Sequence, residues 1–381
     1  MKSEKIAEGH CCGCAACYAI CPVGAITMKE NENGFLVPAV DENICINCKA
    51  CQNVCRSQNH FHKAVEVWIA KHRNKSIYLS SQSGGAFTAI SDCILANRGV
   101  IYGAAMDANL NLIHIRAEAE ETRNKMRGSK YIPSDISNVY SLLEQDLKNG
   151  RKVLFCGTPC QVSGILKYIN AKKIDPSDLY TVDLLCHGVP SISLWRKLKA
   201  YYENKIGCRI QGAELRTVSD GKRPVICLKI KDTWIPDILH RKLYYSNLAL
   251  RPACYQCAFT SSNRIGDFTI GDAWGVDQHH SSFADDQGVS LILFNTAKSL
   301  ELQKNIRKAM AAESVKLEDY IQQSMQSAAA PKRSPEEFWH DFHNKNFSYI
   351  IEKYAKHNLL LNLKYVTVRL KNALMDRRKS K

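Results

Sequence analysis

Cys11-Cys-Gly-Cys14-Ala-Ala-Cys17-Tyr-Ala-Ile-Cys21-Pro22 and Cys45-Ile-Asn-Cys48-Lys-Ala-Cys51-Gln-Asn-Val-Cys55-Arg56 use one spacing twice: two residues, two residues, then three between successive cysteines. Three thiolates on so tight a loop can serve three irons of a cubane, leaving the fourth iron to a cysteine from elsewhere. Zinc also uses Cys-x-x-Cys, but a zinc site needs only four thiolates and no third cysteine at the same interval. The doubled run therefore predicts a small N-terminal domain organised by two 4Fe–4S clusters.

Working outward, the chain of 381 residues holds seventeen cysteines, nine of them within the first 60 residues. The residues after Met1 lack the apolar core of a signal peptide, and no stretch reaches the roughly 18 apolar residues that span a bilayer. The expected compartment is the cytoplasm, where tight cysteine clusters bind metals rather than pair as disulfides. Lys and Arg outnumber Asp and Glu by 52 to 37, a formal charge of +15 that favours acidic partners. No helix-turn-helix pattern and no interleaving of aromatic and basic residues accompanies that charge, so nucleic-acid binding is not expected.

Composition divides the chain into 1–62, the cysteine-rich module; 63–328, an α/β domain; and 329–381, a helical, basic C-terminal extension. In the middle segment β-rich runs alternate with amphipathic ones. Strands are expected at Val65-Glu-Val-Trp-Ile-Ala70, Gly99-Val-Ile-Tyr-Gly103, Lys152-Val-Leu-Phe155 and 179–185, and helices at 86–96, 139–148, 161–169 and 192–202. Cysteines stand at the carboxyl ends of two of these strands, the edge where α/β sheets usually bind ligands. Ser334-Pro-Glu-Glu337 is a helix start, with a cap, a first-turn proline and acids on the dipole. The tail from Lys371 is expected to be a solvated basic end, ahead of a membrane-surface or partner helix using Leu359 to Leu363 and Val366; membrane association is not the expectation.

The doubled run resembles the two-cluster bacterial ferredoxins, down to Pro22-Val-Gly-Ala-Ile26, and departs from them at Arg56, where a proline is usual. In such proteins the fourth cysteine of each run serves the other cluster. That gives Cys11, Cys14, Cys17 and Cys55 for one cubane, and Cys45, Cys48, Cys51 and Cys21 for the other. Cys12 is out of register and reads as a spare buried thiol.

Beyond residue 60, Cys156 and Cys160, Cys186, and Cys254 with Cys257 leave a third cluster, a zinc site and a redox-active Cys156/Cys160 pair open. Gly84-Gly85 before a helix suits a phosphate. Arg127-Gly-Ser-Lys130-Tyr131 sets two cations around a glycine, suited to a pyrophosphate or equally to a solvated loop. Six phrases in order resemble the coenzyme F420 hydrogenase/dehydrogenase beta-subunit family over about residues 64–290: those at 83–89, 127–131, 157–161, 183–191, 251–257 and 270–275. The last departs at Ala273, where relatives often carry a second aromatic.

That resemblance implies an FAD-containing domain with its own 4Fe–4S cluster on Cys160, Cys186, Cys254 and Cys257, Cys156 falling outside the shared pattern. It implies flavin contacts from Ser83, Gly84, Gly85 and Thr88, from Arg127, Gly128, Ser129, Lys130 and Tyr131, and from Thr158 and Pro159. His187, beside Cys186, is a candidate proton donor to the reduced acceptor. The expected activity is electron transfer between ferredoxin or a partner subunit and an anionic organic two-electron acceptor, coenzyme F420 or another small molecule. The alternative is an electron-transfer subunit with no substrate site of its own.

Overall fold

The computed structural model describes residues 10–219, 223–230, 233–237 and 239–355; the basic tail and the Leu359 and Val366 positions lie outside them. In chain order the strands are a hairpin of β1 (Ile26–Glu30) and β2 (Leu36–Val40), then β3 (Glu66–His72), β4 (Val100–Met106), β5 (Leu112–Ala117), β6 (Ser134–Asp135), β7 (Val153–Gly157) and β8 (Leu179–Leu184). After these come β9 (Gly212–Ser219), β10 (Arg223–Ile230) and β11 (Thr233–Asp237), and finally β12 (Phe268–Asp272), β13 (Ser290–Phe294) and β14 (Met310–Ser314).

Nine strands form one mixed sheet in the order β14-β3-β13-β12-β8-β7-β4-β5-β6. Its centre, β12-β8-β7-β4, is parallel, and β13, β3, β14 and β5 join antiparallel to their neighbours. Parallel strands are buried on both faces and read as continuous apolar runs, as Val153-Leu-Phe155 does, while β8 is equally buried with Thr181 and Asp183 within it. The helix Ala86–Leu95 and Leu302, Ile306 and Met310 pack one face. Val139, Tyr140, Leu143, Val162, Ile165 and Ile169 pack the other.

Ala15, Ala16 and Val54 of the cysteine module belong to that second apolar cluster, alongside Val100, Tyr102 and Phe155 of the sheet. The module is thus built onto the sheet domain by a shared core. Tyr140 Oη donates to the Cys14 carbonyl, Ser163 Oγ bonds Asn59 Oδ1 at 2.6 Å, and Lys167 Nζ donates to the Cys55 carbonyl at 3.3 Å. The fold is mixed α/β with a ferredoxin-type module in front.

The chain packs as two compact units, dividing at Ile192/Ser193, Ala249/Leu250 and Ala330/Pro331, so one unit holds both the module and the nine-stranded sheet. The other is an antiparallel sheet, β11-β10-β9, with helices Leu239–Tyr245 and Pro335–Asn344 and most of Ile192–Ile206. Ser334 caps the Pro335 helix, its Oγ accepting from Glu337 N–H at 3.1 Å. Trp195, His240, Phe338 and Phe342 are buried in this unit, and burial pushes the His240 imidazole down to about 4.

Candidate functional site

The two cysteine runs fold into matching backbones. Gly13 (φ 73°) and Ala15 (φ 59°) in the first, and Asn47 (φ 55°) and Lys49 (φ 60°) at the equivalent positions of the second, are all left-handed. Each such residue other than glycine costs about 1–2 kcal/mol, so the surroundings must over-determine the conformation. Interspersed left-handed residues turn successive backbone N–H groups inward and make a concavity for an anionic body. Each loop then enters a short helix, Ala16–Ala19 or Ala50–Arg56, that carries its third cysteine.

The fourth cysteines cross over. A cavity is lined by Cys45, Cys48 and Cys51 of the second run and by Cys21 of the first, with Val23, Ile26, Val40 and Ile46 around them. The Ala25 N–H donates to Cys21 Sγ at 3.2 Å. Conversely, Cys55 faces the first run. Burial, then repulsion from Cys11 and Cys55, pushes the Cys17 thiol up to about 12. Among the described residues no three His, Cys, Asp or Glu side chains stand close enough to hold one metal ion. A thiol as costly to ionise bare as Cys17 is kept as a thiolate when a metal compensates its charge, and two sets of four cysteines, each drawn from both runs, fit cubane clusters.

A third group forms where the sheet's carboxyl edge meets the 250–257 loop. Cys160 lies in the first turn of the helix Pro159–Ala171 after β7, Cys186 follows β8, Cys254 lies within the short helix Pro252–Gln256, and Cys257 caps its end. Burial, then repulsion from Cys254 and Cys257, pushes Cys186 up to about 12. Burial pushes Cys254 up to about 11, and its Sγ accepts from Val189 N–H at 3.4 Å. Thr158 Oγ1 lies 3.2 Å from Cys160 Sγ, and the Thr158 N–H donates to Gln161 Oε1 at 3.0 Å. His187 is half-buried in the turn between Cys186 and Pro190. Cys156 answers to Lys130 and Asp183 instead of to another thiol, and burial pushes it up to about 12.

Two features escaped the sequence reading. Cys12 is held well below the usual thiol range by the thiols of Cys14 and Cys160, and a Cβ on Gly164 of the Cys160 helix would stand 3.1 Å from Cys14 Sγ, which sets the first run against the third group. Asp183, fully buried, accepts from Arg264 at 2.6 Å (Nη2) and 3.1 Å (Nε), and from the Ile265 and Gly266 N–H groups at 3.2 and 2.8 Å. That clamp fastens the chain just beyond Cys257 to β8, the strand that Cys186 follows.

On the same sheet edge, Gly84 closes on β3: a Cβ there would stand 2.0 Å from the Ala70 carbonyl oxygen and 2.5 Å from Ser290 N. Gly85 (φ 88°) caps the helix Ala86–Leu95, which buries Thr88. Around this diglycine, His72 Nε2, Gln82 Oε1, Ser83 Oγ and Arg127 Nε are buried with no hydrogen-bond partner among the described residues. They converge: a Cβ on Gly85 would meet His72, one on Gly128 would meet Gln82, and one on Gly288 would meet Ser83. Buried polar groups are almost always satisfied, so four orphans at one glycine-lined place fit a polar ligand.

Arg127 Nη2 is held by the Ile77 carbonyl at 2.8 Å and by Ser80 and Ser81 Oγ at 2.6 and 2.8 Å. Lys130 turns its ammonium onto the carbonyls of Met126, Arg127 and Gly128 at 2.8–3.0 Å, and burial lowers it to about 8. The lysine therefore shapes the Arg127–Tyr131 loop from within. Ser129 and Tyr131 are half-buried on that loop, and Pro159 is buried in the first turn of the helix after β7.

Residues 150–320 match the family model for the C terminus of the coenzyme F420 hydrogenase/dehydrogenase beta subunit, and residues 10–59 match a 4Fe-4S dicluster domain. The chain is similar to the F subunit of the F(420)H(2) dehydrogenase of Methanosarcina mazei, at 24% identity over 42% of this chain and 48% of that protein. It is similar to the coenzyme F420-dependent sulfite reductase of Methanocaldococcus jannaschii, at 28% identity over 43% of this chain and 26% of that protein. The chain thus spans about half the length of the first relative and a quarter of the second. Its N-terminal part is 38% identical to an uncharacterised ferredoxin of M. jannaschii, of which it covers 77%. A solved structure of the F420-reducing NiFe hydrogenase complex from Methanosarcina barkeri aligns with a TM-score of 0.48 at 20% identity, covering 77% of this chain and 93% of that one.

Proposed function

Because the chain belongs to the coenzyme F420 hydrogenase/dehydrogenase beta-subunit family and carries a 4Fe-4S dicluster domain ahead of it, we propose that it is an iron–sulfur flavoprotein. In this reading it passes electrons between ferredoxin or a partner subunit and an anionic organic acceptor, coenzyme F420 or another small molecule. Iron–sulfur clusters exchange single electrons and a flavin one or two, so together they join one-electron carriers to a two-electron acceptor.

The observation that carries the reading is the closeness of the first cysteine run to the helix that bears Cys160: a Cβ on Gly164 of that helix would stand 3.1 Å from Cys14 Sγ. The Cys21, Cys45, Cys48, Cys51 set would hold the outer cluster: Cys48 is exposed, and Ile44 and Ile46 beside it are 47% and 61% exposed. Such an apolar rim around an exposed cysteine suits brief contact with a redox partner. The Cys11, Cys14, Cys17, Cys55 set would hold the inner one, and Cys160, Cys186, Cys254 and Cys257 a third. FAD would satisfy the four orphaned polar atoms, with its phosphates toward the glycines at 84–85 and the helix behind them. His187 is the candidate proton donor to the acceptor; unchanged turnover of His187→Ala with full flavin and iron would remove it from that role.

Among the described residues no helix is long and apolar enough to cross a membrane. The test of the whole reading is anaerobic purification with iron, acid-labile sulfide, zinc and flavin quantified together. About twelve irons per chain with one FAD is the expected result. About eight irons with zinc would make the third group structural, and absence of flavin would favour the electron-transfer subunit with no substrate site.

A further inference from the structure

Arg251 opens the phrase that ends at Cys257, yet its side chain reaches away from that phrase into the cysteine module. It is 5% exposed. Its Nη1 donates to the carbonyls of Cys11 at 3.3 Å and Leu36 at 3.1 Å, and its guanidinium carbon stands 5.0 Å from the centre of the Phe35 ring. The other end of the fork presses on Gly13, where a Cβ would lie 2.7 Å from Nη2. Gly13 is thus required both by its positive φ and by this approach.

Among the described residues no carboxylate pairs with Arg251, and its Nε is buried with no hydrogen-bond acceptor. The other interior arginine of this region, Arg264, has Asp183. An interior cation without a counter-charge is costly, and its partner is removed only at several kcal/mol. Arg251 is tied to both cysteine loops: Nη1 donates to the Cys11 carbonyl, and its own carbonyl accepts from the Cys254 N–H at 2.8 Å. Cys11 belongs to the first run and Cys254 to the third group.

We propose that Arg251 is the shared counter-charge of two clusters, the one on Cys11, Cys14, Cys17 and Cys55 and the one on Cys160, Cys186, Cys254 and Cys257. It holds their loops together and raises both reduction potentials. This rests on the ligand assignment proposed above. A cluster's potential follows its net charge and the hydrogen bonds its sulfurs accept. A fixed positive charge stabilises the reduced, more negative state, and the unpartnered Nε–H is a donor available to a cluster sulfur. Arg251 is a positioning and potential-setting residue, not a catalytic one.

The test uses the full chain, reconstituted anaerobically with iron and sulfide, as wild type, Arg251→Gln and Arg251→Lys, in redox titrations followed by electron paramagnetic resonance. The outer cluster, identified as the signal lost in Cys48→Ser, is the internal control. In Arg251→Gln with wild-type iron, two signals should become harder to reduce by about tenfold in the oxidised-to-reduced ratio, about 59 mV for one electron. The outer signal should stay, and Arg251→Lys should recover most of the shift. If Arg251→Gln loses iron while Arg251→Lys keeps it at wild-type potentials, the need for charge is equally supported. Unmoved midpoints at full iron content, an equal shift of all signals, or equal iron loss in both variants would overturn the proposal. A wild-type chain that binds no iron would instead overturn the ligand assignment, before any variant is compared.

Discussion

Replacing Asp183 by Asn tests whether the buried clamp builds the third cysteine group. The carboxylate accepts four N–H bonds, two from Arg264 and two from the backbone at Ile265 and Gly266, and neither partner is more than 2% exposed. Arg264 spends its other N–H bonds on the carbonyls of Phe259, Ser261 and Leu184 at 3.1–3.2 Å. An amide is isosteric, but it removes the charge and turns an NH2 toward one pair of N–H donors. Breaking one side of a buried pair costs about 3–5 kcal/mol, whereas replacing both sides by apolar groups is often neutral. Urea unfolding followed by circular dichroism should therefore place Asp183→Asn several kcal/mol below wild type and return much of that loss in Asp183→Leu/Arg264→Met. Iron content separates stability from site building: both variants should lose about four irons, because neither fastens the 257–264 segment to β8. If Asp183→Asn melts within about 1 kcal/mol of wild type and keeps all its iron, the clamp has no such role.

Cys21→Ser should remove the outer cluster and Cys55→Ser the inner one, read as loss of about four irons each with distinct resonance signals; the reverse pairing would refute the crossed grouping. Gly84→Ala would put a Cβ 2.0 Å from a backbone oxygen of β3, so it should lower stability by about 1–3 kcal/mol and abolish retention of added FAD. Full FAD retention would refute the glycine's part in the site. Burial pushes His114 down to about 4, with Nε2 donating to the Cys156 carbonyl at 3.0 Å and Nδ1 on Ser134 Oγ at 2.7 Å. Its folded pKa lies below the unfolded value near 6.5, so the contribution is full above that pH and lost as pH falls toward 4, up to about 3 kcal/mol. His240 titrates in the same window, so His114→Gln should flatten the acid limb of a stability profile only in part; superimposable profiles would refute the assignment.

The strands and helices expected at 65–70, 86–96, 139–148, 152–155, 179–185 and 192–202 are present within a few residues, because buried parallel strands and their covering helices print their periods in apolar residues. The sheet's flanks print less. β5 mixes buried, half-buried and exposed positions, and β14 at the edge carries Ala, Glu and Ser, so neither forms a strong apolar run. The two cysteine runs end at Cys55, ahead of the compositional break near residue 62, yet packing runs across that break: besides a small cluster around Cys17 and Ile26, the module places Ala15, Ala16 and Val54 in the core of the sheet. Nothing in residues 193–249 marks them for a separate unit, because short antiparallel strands and an ordinary amphipathic helix look the same wherever they pack.

At the site, the spacing of the cysteines was legible because a cubane calls for it, whereas the crossing of Cys21 and Cys55 was implied by the resemblance to two-cluster ferredoxins. Lys130 shows the opposite case. Beside Arg127 and a glycine it reads as an anion ligand, yet three carbonyls within four residues claim its ammonium, a local closure that no residue pattern announces. Arg251, Arg264 and Asp183 are harder still, since an isolated charge in a sequence is usually solvated. Their roles depend on which elements the fold brings opposite them. Among the described residues, Arg264 has a carboxylate partner in Asp183 and Arg251 has none. That asymmetry has a physical reading: Asp183 neutralises the cation that braces the loop, and the other cation would be left for the clusters proposed above.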